Sequence, residues 1–259
     1  PGGRRRVPDR RGLVASQPHQ LTGARLGVGY GAGPTIGAMS RLRRVRRADL
    51  HAGAQPIFQM LFGDRDPVDE PGTATGTPGD WWSTFALVPD VFDHAVGGIA
   101  LYRSPRRLLD PKLRELGQTR VGWCVGSRFV YSQHRKACRT VGIGDEQIEA
   151  IEAWETATCF DEAERAVLAY TDALSIQHGR VPDGVFSALQ AHLSDEEILE
   201  LTYIVCTYAM HGVMSRALRL EYDADPPVLV EEPGDEASLG DEYTREEFRR
   251  ALRIVSDGD

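Results

Sequence analysis

Basic residues are in the minority in this chain, long apolar runs are missing and cysteine is scarce, and each shortage excludes something. With 30 Lys+Arg against 38 Asp+Glu the net charge is −8, the wrong sign for a general nucleic-acid binder. No stretch approaches the roughly 18 consecutive apolar residues of a membrane span, so no membrane insertion is expected. The four cysteines (Cys124, Cys138, Cys159, Cys206) form no CxxC pair and no zinc-type spacing. They are too few for a disulfide scaffold, and without a signal peptide the expected compartment is the cytoplasm. The seven histidines are scattered, with no H-x3-H or HExxH pair, so the pattern calls for no metal and no cofactor. Alternating runs of β-branched residues are missing too, which leaves the sheet classes without a signature.

What is present is 41% hydrophobic residues in 259, enough for one sizeable core. Charge is spread unevenly. Residues 1–48 hold eleven arginines and a single acid, Asp9, so this stretch is +10 and the remainder −18. Nine of the 27 glycines fall in the first 38 residues, which show no apolar periodicity. Such a segment cannot bury enough surface to offset its ordering entropy. Its stretch GVGYGAGPTIG (Gly27–Gly37) never satisfies G-x-G-x-x-G and follows no strand. Residues 1–38 are therefore expected to be a disordered Arg/Gly-rich leader, with Met39 resembling a natural start. At the other end, residues 225–259 contain eleven acids and four arginines, broken by Pro226, Pro227 and Pro233. An acidic tail over 223–259 is expected, with a short helix at 244–255 carrying Phe248, Leu252 and Val255 on one face.

Between these ends, residues 39–222 read as a single all-α domain. Asp110-Pro111 places a cap acceptor before a proline at the first helical position. Asp161-x-x-Glu164 and Ser194-x-x-Glu197 are capping boxes ahead of apolar-periodic runs. Further helices are expected from Asp145 through Trp154, from Pro182 to His192 and over Val91–Tyr102. The connection from Gly63 to Gly79 is long for a compact domain and has the character of a lid. It leads into Trp81-Trp82, which can pack the loop onto the core or line a ligand site.

Chemistry concentrates in Asp110–Ile148. Gly122 and Gly126 would each cost about 1 kcal/mol inside a helix, so a break or a close approach is expected there. From Ser127 to about Gly142 the chain reads as a helix, with Ser127, Val130, Tyr131 and Cys138 on the face of His134. Glu115, on the preceding helix, can reach the imidazole, the usual setting of a general base. Arg120 or Arg128 can supply a guanidinium to hold a carboxylate, and the Ser127 or Tyr131 hydroxyl can hold developing oxyanion charge. His211, on the last core helix, and Trp82 complete the candidate substrate contacts. Cys124 and Cys138 are the candidate thiols.

The segment Glu115-x11-Ser127-x2-Val130-x3-His134 has the spacing E-x11-C-x-x-C-x3-H. This resembles the signature of the alkylhydroperoxidase (AhpD)-like superfamily. The phrases LRELGQTRVGW, Gln133-His134, GIGDEQIEAI and Phe160–Leu218 resemble its carboxymuconolactone decarboxylase branch. The resemblance covers about residues 50–222. It implies an all-α fold around a helical hairpin and a homo-oligomer, commonly a trimer or hexamer, with active sites near subunit contacts. Two departures stand out. Ser127 and Val130 occupy the dithiol positions, so the redox route implied by the resemblance has no thiols there. Val130 also stands where the decarboxylase branch usually has a carboxylate, and Arg128 where another acid often appears.

Three functions follow from this reading. The first is cofactor-independent acid–base chemistry, decarboxylation or isomerisation, by His134 and Glu115 on a small organic acid or lactone. The second is an AhpD-type hydroperoxide reductase whose thiol has moved to Cys124 or Cys138. The third is a non-catalytic binding protein on the same scaffold.

Overall fold

The computed structural model describes residues 40–224 and residue 229. The expected leader, and the expected tail apart from residues 223, 224 and 229, lie outside the described residues. Among the described residues there are nine α-helices and no strand. They are α1 (Gln55–Phe62), α2 (Asp80–Phe85), α3 (Pro89–Tyr102), α4 (Pro111–Cys124), α5 (Arg128–Thr140), α6 (Asp145–Ala150), α7 (Glu162–Ser175), α8 (Asp183–Gln190) and α9 (Asp195–Leu218). None of them is long and apolar enough to cross a membrane.

The helix starts follow side-chain chemistry. Asp110 accepts from the Lys112 amide at 2.7 Å ahead of α4, with Pro111 first in the helix. Ser127 accepts from the Val130 amide at 3.2 Å ahead of α5. Both capping boxes, at Asp161 and Ser194, are formed. The Asp145 helix is shorter than its apolar spacing suggests, because α6 passes into a 3-10 turn at Ile151–Ala153. There Arg120 Nη1 takes the carbonyls of Ile151 and Glu152, each at 2.8 Å.

At the centre is α4, flanked by α5, α7 and α9 and buried from Glu115 through Gly122. The α4–α5 hairpin turns on Gly126, whose φ of 68° is left-handed. Gly122 lets the two helices meet, since a Cβ there would lie 2.7 Å from the Tyr131 backbone nitrogen. Both glycines therefore have a geometric reason, one a break and the other a close approach. Apolar packing surrounds this hairpin. One cluster joins α1, α2 and α3 through Phe58, Trp82 and Phe92. A second joins α4, α7 and α9 through Val121, Val167 and Leu201. A third seats α6 with Leu116, Cys138, Ile148 and Leu168.

Candidate active site

Because the hairpin is antiparallel, Glu115 in the first half of α4 faces His134 at the middle of α5. His134 Nδ1 lies 2.7 Å from Glu115 Oε2. The other carboxylate oxygen accepts from Arg114 Nε at 3.2 Å and Nη2 at 2.9 Å. Burial pushes the Glu115 carboxyl up, but the charges and hydrogen bonds of His134 and Arg114 outweigh it and hold the group below its ordinary value. Glu115 is thus a fixed anion, and its bond to Nδ1 leaves His134 Nε2 as the ring nitrogen available to a ligand. The imidazole meets Tyr208 of α9 edge-on, with ring centroids 4.4 Å apart.

His134 lines a cavity of about 840 Å³, large enough for a small-molecule ligand. Tyr208 and His211 of α9 and Trp81 and Trp82 of α2 form its apolar side. Arg103, Arg107 and Arg114 bring positive charge from the α3–α4 connection and the start of α4. Arg107 pairs with Glu200 at 3.3 Å, whereas Arg103 forms no ion pair among the described residues. Among the described residues no cluster of three or more His, Cys, Asp or Glu side chains is arranged to hold a metal ion.

The long connection contributes a wall to this cavity through Thr75 and Thr77. It is tied down rather than hanging free. Lys136 Nζ donates to the Thr75 carbonyl at 3.0 Å, and the Tyr222 hydroxyl to the Gly76 carbonyl at 2.5 Å. The buried Glu221 carboxyl accepts from the Gly79 and Trp81 amides at 2.9 and 2.8 Å, while Asp80 accepts from the Glu221 amide at 2.7 Å. Burial, and then the neighbouring Asp80 charge, push the Glu221 carboxyl well above its usual range.

His211 is buried, and its Nδ1 has no hydrogen-bond partner among the described residues. Burial, then the positive charges of His134 and His94, lower it from an ordinary 6.5 to about 4. It is therefore a neutral imidazole at pH 7. A histidine that must shed its proton to fold stabilises fully above the unfolded value of 6.5 and loses that contribution as pH falls toward 4. The expected loss is about 3 kcal/mol across that window. Urea unfolding of wild type and His211→Phe between pH 7 and 4 checks this, because the variant lacks that part of the acid slope. Parallel curves would contradict it.

Four expected substrate contacts lie elsewhere. The Ser127 hydroxyl is taken up as the α5 cap and donates to Asp223 Oδ2 at 2.6 Å. The Tyr131 hydroxyl donates to Glu152 at 2.6 Å, and burial, then that carboxylate, push its ionisation upward. Arg120 clamps Asp172 through Nε at 2.6 Å and Nη2 at 2.9 Å. Arg128 sits 6.0 Å from the centre of the Tyr222 ring. None of the four lines the cavity. Helical spacing places Ser127 and Tyr131 near the His134 face, but one is used as a cap and the other leans round the helix toward Glu152.

The thiols are also outside the cavity lining, and all four cysteines are free. Cys124 donates to Asp172 Oδ1 at 3.2 Å, and burial pushes it up to about 11. Cys138 lies 3.2 Å from Thr119 Oγ1, with burial and then Glu115 pushing it up to about 12. Sequence reasoning missed Arg103, Arg107, Arg114 and Tyr208. The run Tyr102-Arg103-Ser104-Pro105-Arg106-Arg107 just before the Asp110 cap was the available signal for two of them. Tyr208, one turn before His211 on the same helix face, could have been found from that histidine.

Residues 92–173 of the chain match the model of the Carboxymuconolactone decarboxylase family, a stretch that includes Glu115 and His134. The chain is 28% identical to the uncharacterized protein YnjA of Escherichia coli (strain K12) over 130 residues, 50% of this chain and 69% of the relative. It is 27% identical to the uncharacterized protein YdfG of Bacillus subtilis (strain 168) over 93 residues, 36% of this chain and 63% of the relative. In fold it is similar to an alkylhydroperoxidase AhpD core, an uncharacterized peroxidase-related protein from Ralstonia eutropha JMP134, with a TM-score of 0.59. That likeness covers 78% of this chain and 96% of the other at 16% identity.

Proposed function

We propose that this chain, whose residues 92–173 match the model of the Carboxymuconolactone decarboxylase family, performs cofactor-independent acid–base chemistry on a small organic acid or lactone. The observation that carries this reading is the His134–Glu115 pair at 2.7 Å on the wall of a cavity that no thiol lines. His134 Nε2 takes a proton from, or returns it to, the ligand carbon or oxygen. Glu115 holds the ring through Nδ1 and offsets the charge of the imidazolium that forms. Arg114 holds Glu115 in turn. Arg103, unpaired by any carboxylate among the described residues, receives the ligand carboxylate. In decarboxylation, carbon dioxide leaves and its electron pair becomes an enolate that His134 reprotonates at carbon. In isomerisation, the same imidazole moves a proton between two carbons.

The displaced-thiol peroxidase needs an accessible thiol with a lowered pKa, and the upward shifts at Cys124 and Cys138 weigh against it. The test is a panel of small organic acids and lactones, scored for carbon dioxide release and for isomer formation. A parallel assay measures hydroperoxide reduction. Cys124→Ser and Cys138→Ser are expected to keep most of the acid turnover. Hydroperoxide reduction lost in either cysteine variant, with no acid or lactone consumed by wild type, would overturn the proposal.

A further inference from the structure

An enolate formed in the cavity needs a donor for its oxygen. The hydroxyls of Ser127 and Tyr131 cannot serve, because they are turned to Asp223 and Glu152 outside the lining. On the wall itself, Gln133 and Lys136 donate to the Thr75 carbonyl at 3.4 and 3.0 Å. His211 is differently placed. It is 6% exposed and lines the cavity. Around it is an aromatic nest of Trp81, Phe85 and Tyr208, with ring centroids 5.6, 6.3 and 5.8 Å away. Its ring forms no hydrogen bond among the described residues, and Nδ1 is the sealed nitrogen of the two. An apolar ring would fill this nest without burying a polar atom. An imidazole there calls for a partner that the protein itself does not supply.

Tyr208 packs against both imidazoles, with ring centroids 4.4 Å from His134 and 5.8 Å from His211, so the two lie within about 10 Å of each other. One small ligand in the cavity can meet both. A neutral imidazole carries one proton. On Nδ1 it would be a sealed N–H with no acceptor, an arrangement that folded proteins avoid; on Nε2 it is offered to the cavity. Building on the acid–base reading of His134, we propose that His211 is a second catalytic residue, whose Nε2–H donates to the ligand carbonyl oxygen and holds the charge that arrives there. When His134 takes a proton from the carbon beside that carbonyl, the C–H electron pair becomes a carbon–carbon double bond. The carbonyl π pair moves onto oxygen. In decarboxylation the first pair comes instead from the bond to the departing carbon dioxide. Return of a proton from His134 to carbon moves both pairs back, and His211 keeps its own proton throughout. The lowered value of His211, about 4, suits a neutral donor, so one histidine moves the proton and the other polarises the carbonyl. Substrates are thereby narrowed to acids and lactones with a carbonyl next to the carbon that gains or loses the proton.

The test uses the full chain, labelled with nitrogen-15 at histidine, the His211 signals being those lost in His211→Gln. At pH 7 they are expected to show the neutral Nε2–H tautomer. An Nδ1–H tautomer or an imidazolium overturns the proposal. The oxyanion probe is p-nitrophenolate, followed by its absorbance. His211→Phe is expected to weaken its binding by at least about tenfold, and His211→Gln, which keeps an N–H, to recover part of the loss. Binding of p-nitroanisole, of similar shape without the charge, should not change. Equal phenolate affinity in wild type and His211→Phe, no phenolate binding to wild type, or a loss shared equally by p-nitroanisole overturns the proposal. On an acid or lactone that wild type consumes, His211→Phe should lower kcat by about 10²–10³-fold with KM little changed. Turnover abolished by His134→Ala but kept by His211→Phe strikes this inference alone. No turnover of any acid or lactone by wild type strikes the reading on which it rests.

Discussion

His134→Ala is expected to lower turnover of the acid substrate by about 10²–10⁴-fold, the usual contribution of one general acid–base side chain. Ligand affinity, measured by calorimetry, should change by only a few-fold, because Arg103 and the aromatic wall remain. This split between turnover and binding separates a catalyst from a binding protein on the same scaffold. Glu115→Gln preserves a hydrogen-bonding group beside Nδ1 but removes the anion that His134 and Arg114 share. Its kcat should therefore fall while the ligand still binds. The Glu115 carboxyl, held below its ordinary value in the fold, also stabilises the protein above the unfolded carboxylate range. That contribution is lost as pH falls through its lowered value. If His134→Ala retained both turnover and affinity, the acid–base assignment would be wrong.

The largest expected effect on stability lies outside the cavity. Asp172 receives four donors: Arg120 Nε at 2.6 Å, Arg120 Nη2 at 2.9 Å, Trp154 Nε1 at 3.0 Å and Cys124 Sγ at 3.2 Å. Arg120 is only 4% exposed. Asp172→Ala leaves this guanidinium buried without its bidentate partner, a change worth about 3–5 kcal/mol. For a domain of this size that is a melting temperature lower by about 10 °C. Removing both charges is a different matter, because two apolar groups of similar volume leave no buried ion behind. Arg120→Met combined with Asp172→Leu should thus melt above Asp172→Ala alone. Melting curves of the three proteins check both statements, and a double variant less stable than the single one would contradict the account.

The parts of this fold that announce themselves in the sequence are those set by local chemistry. Asp110-Pro111, the two capping boxes and the glycine pair in the hairpin act within a few residues of themselves. Their geometry could therefore be read before any tertiary contact was known. The six-residue α2 lacks enough turns to show a period, and only the packing of Trp81 against Phe85, with ring centroids 4.0 Å apart, reveals it as a helix. The facing of Glu115 and His134 was legible because a hairpin with a tight turn pairs the first half of α4 with the middle of α5. The cationic side of the cavity was not legible. Arg103 and Arg107 reach it from an irregular connection, and no periodicity says where such a segment points. Arg120 misled because nothing near it in the sequence announces Asp172, 52 residues away.

The tie between the cavity wall and the final described turn has a consequence for how the molecule comes into being. Gly76 and Tyr222 are 146 residues apart in the chain, and Gly79 and Glu221 are 142 apart. During synthesis the Thr75 wall is made early and Lys136 of α5 can reach it, yet Glu221 and Tyr222, which moor Gly79 and Gly76, emerge only after α9 is complete. The His134–Glu115 pair spans 19 residues and can assemble as soon as the hairpin leaves the ribosome. Chemistry and containment are thus separated in biosynthetic time. A nascent chain halted inside α9 would carry the paired imidazole and carboxylate but no fastened compartment around them.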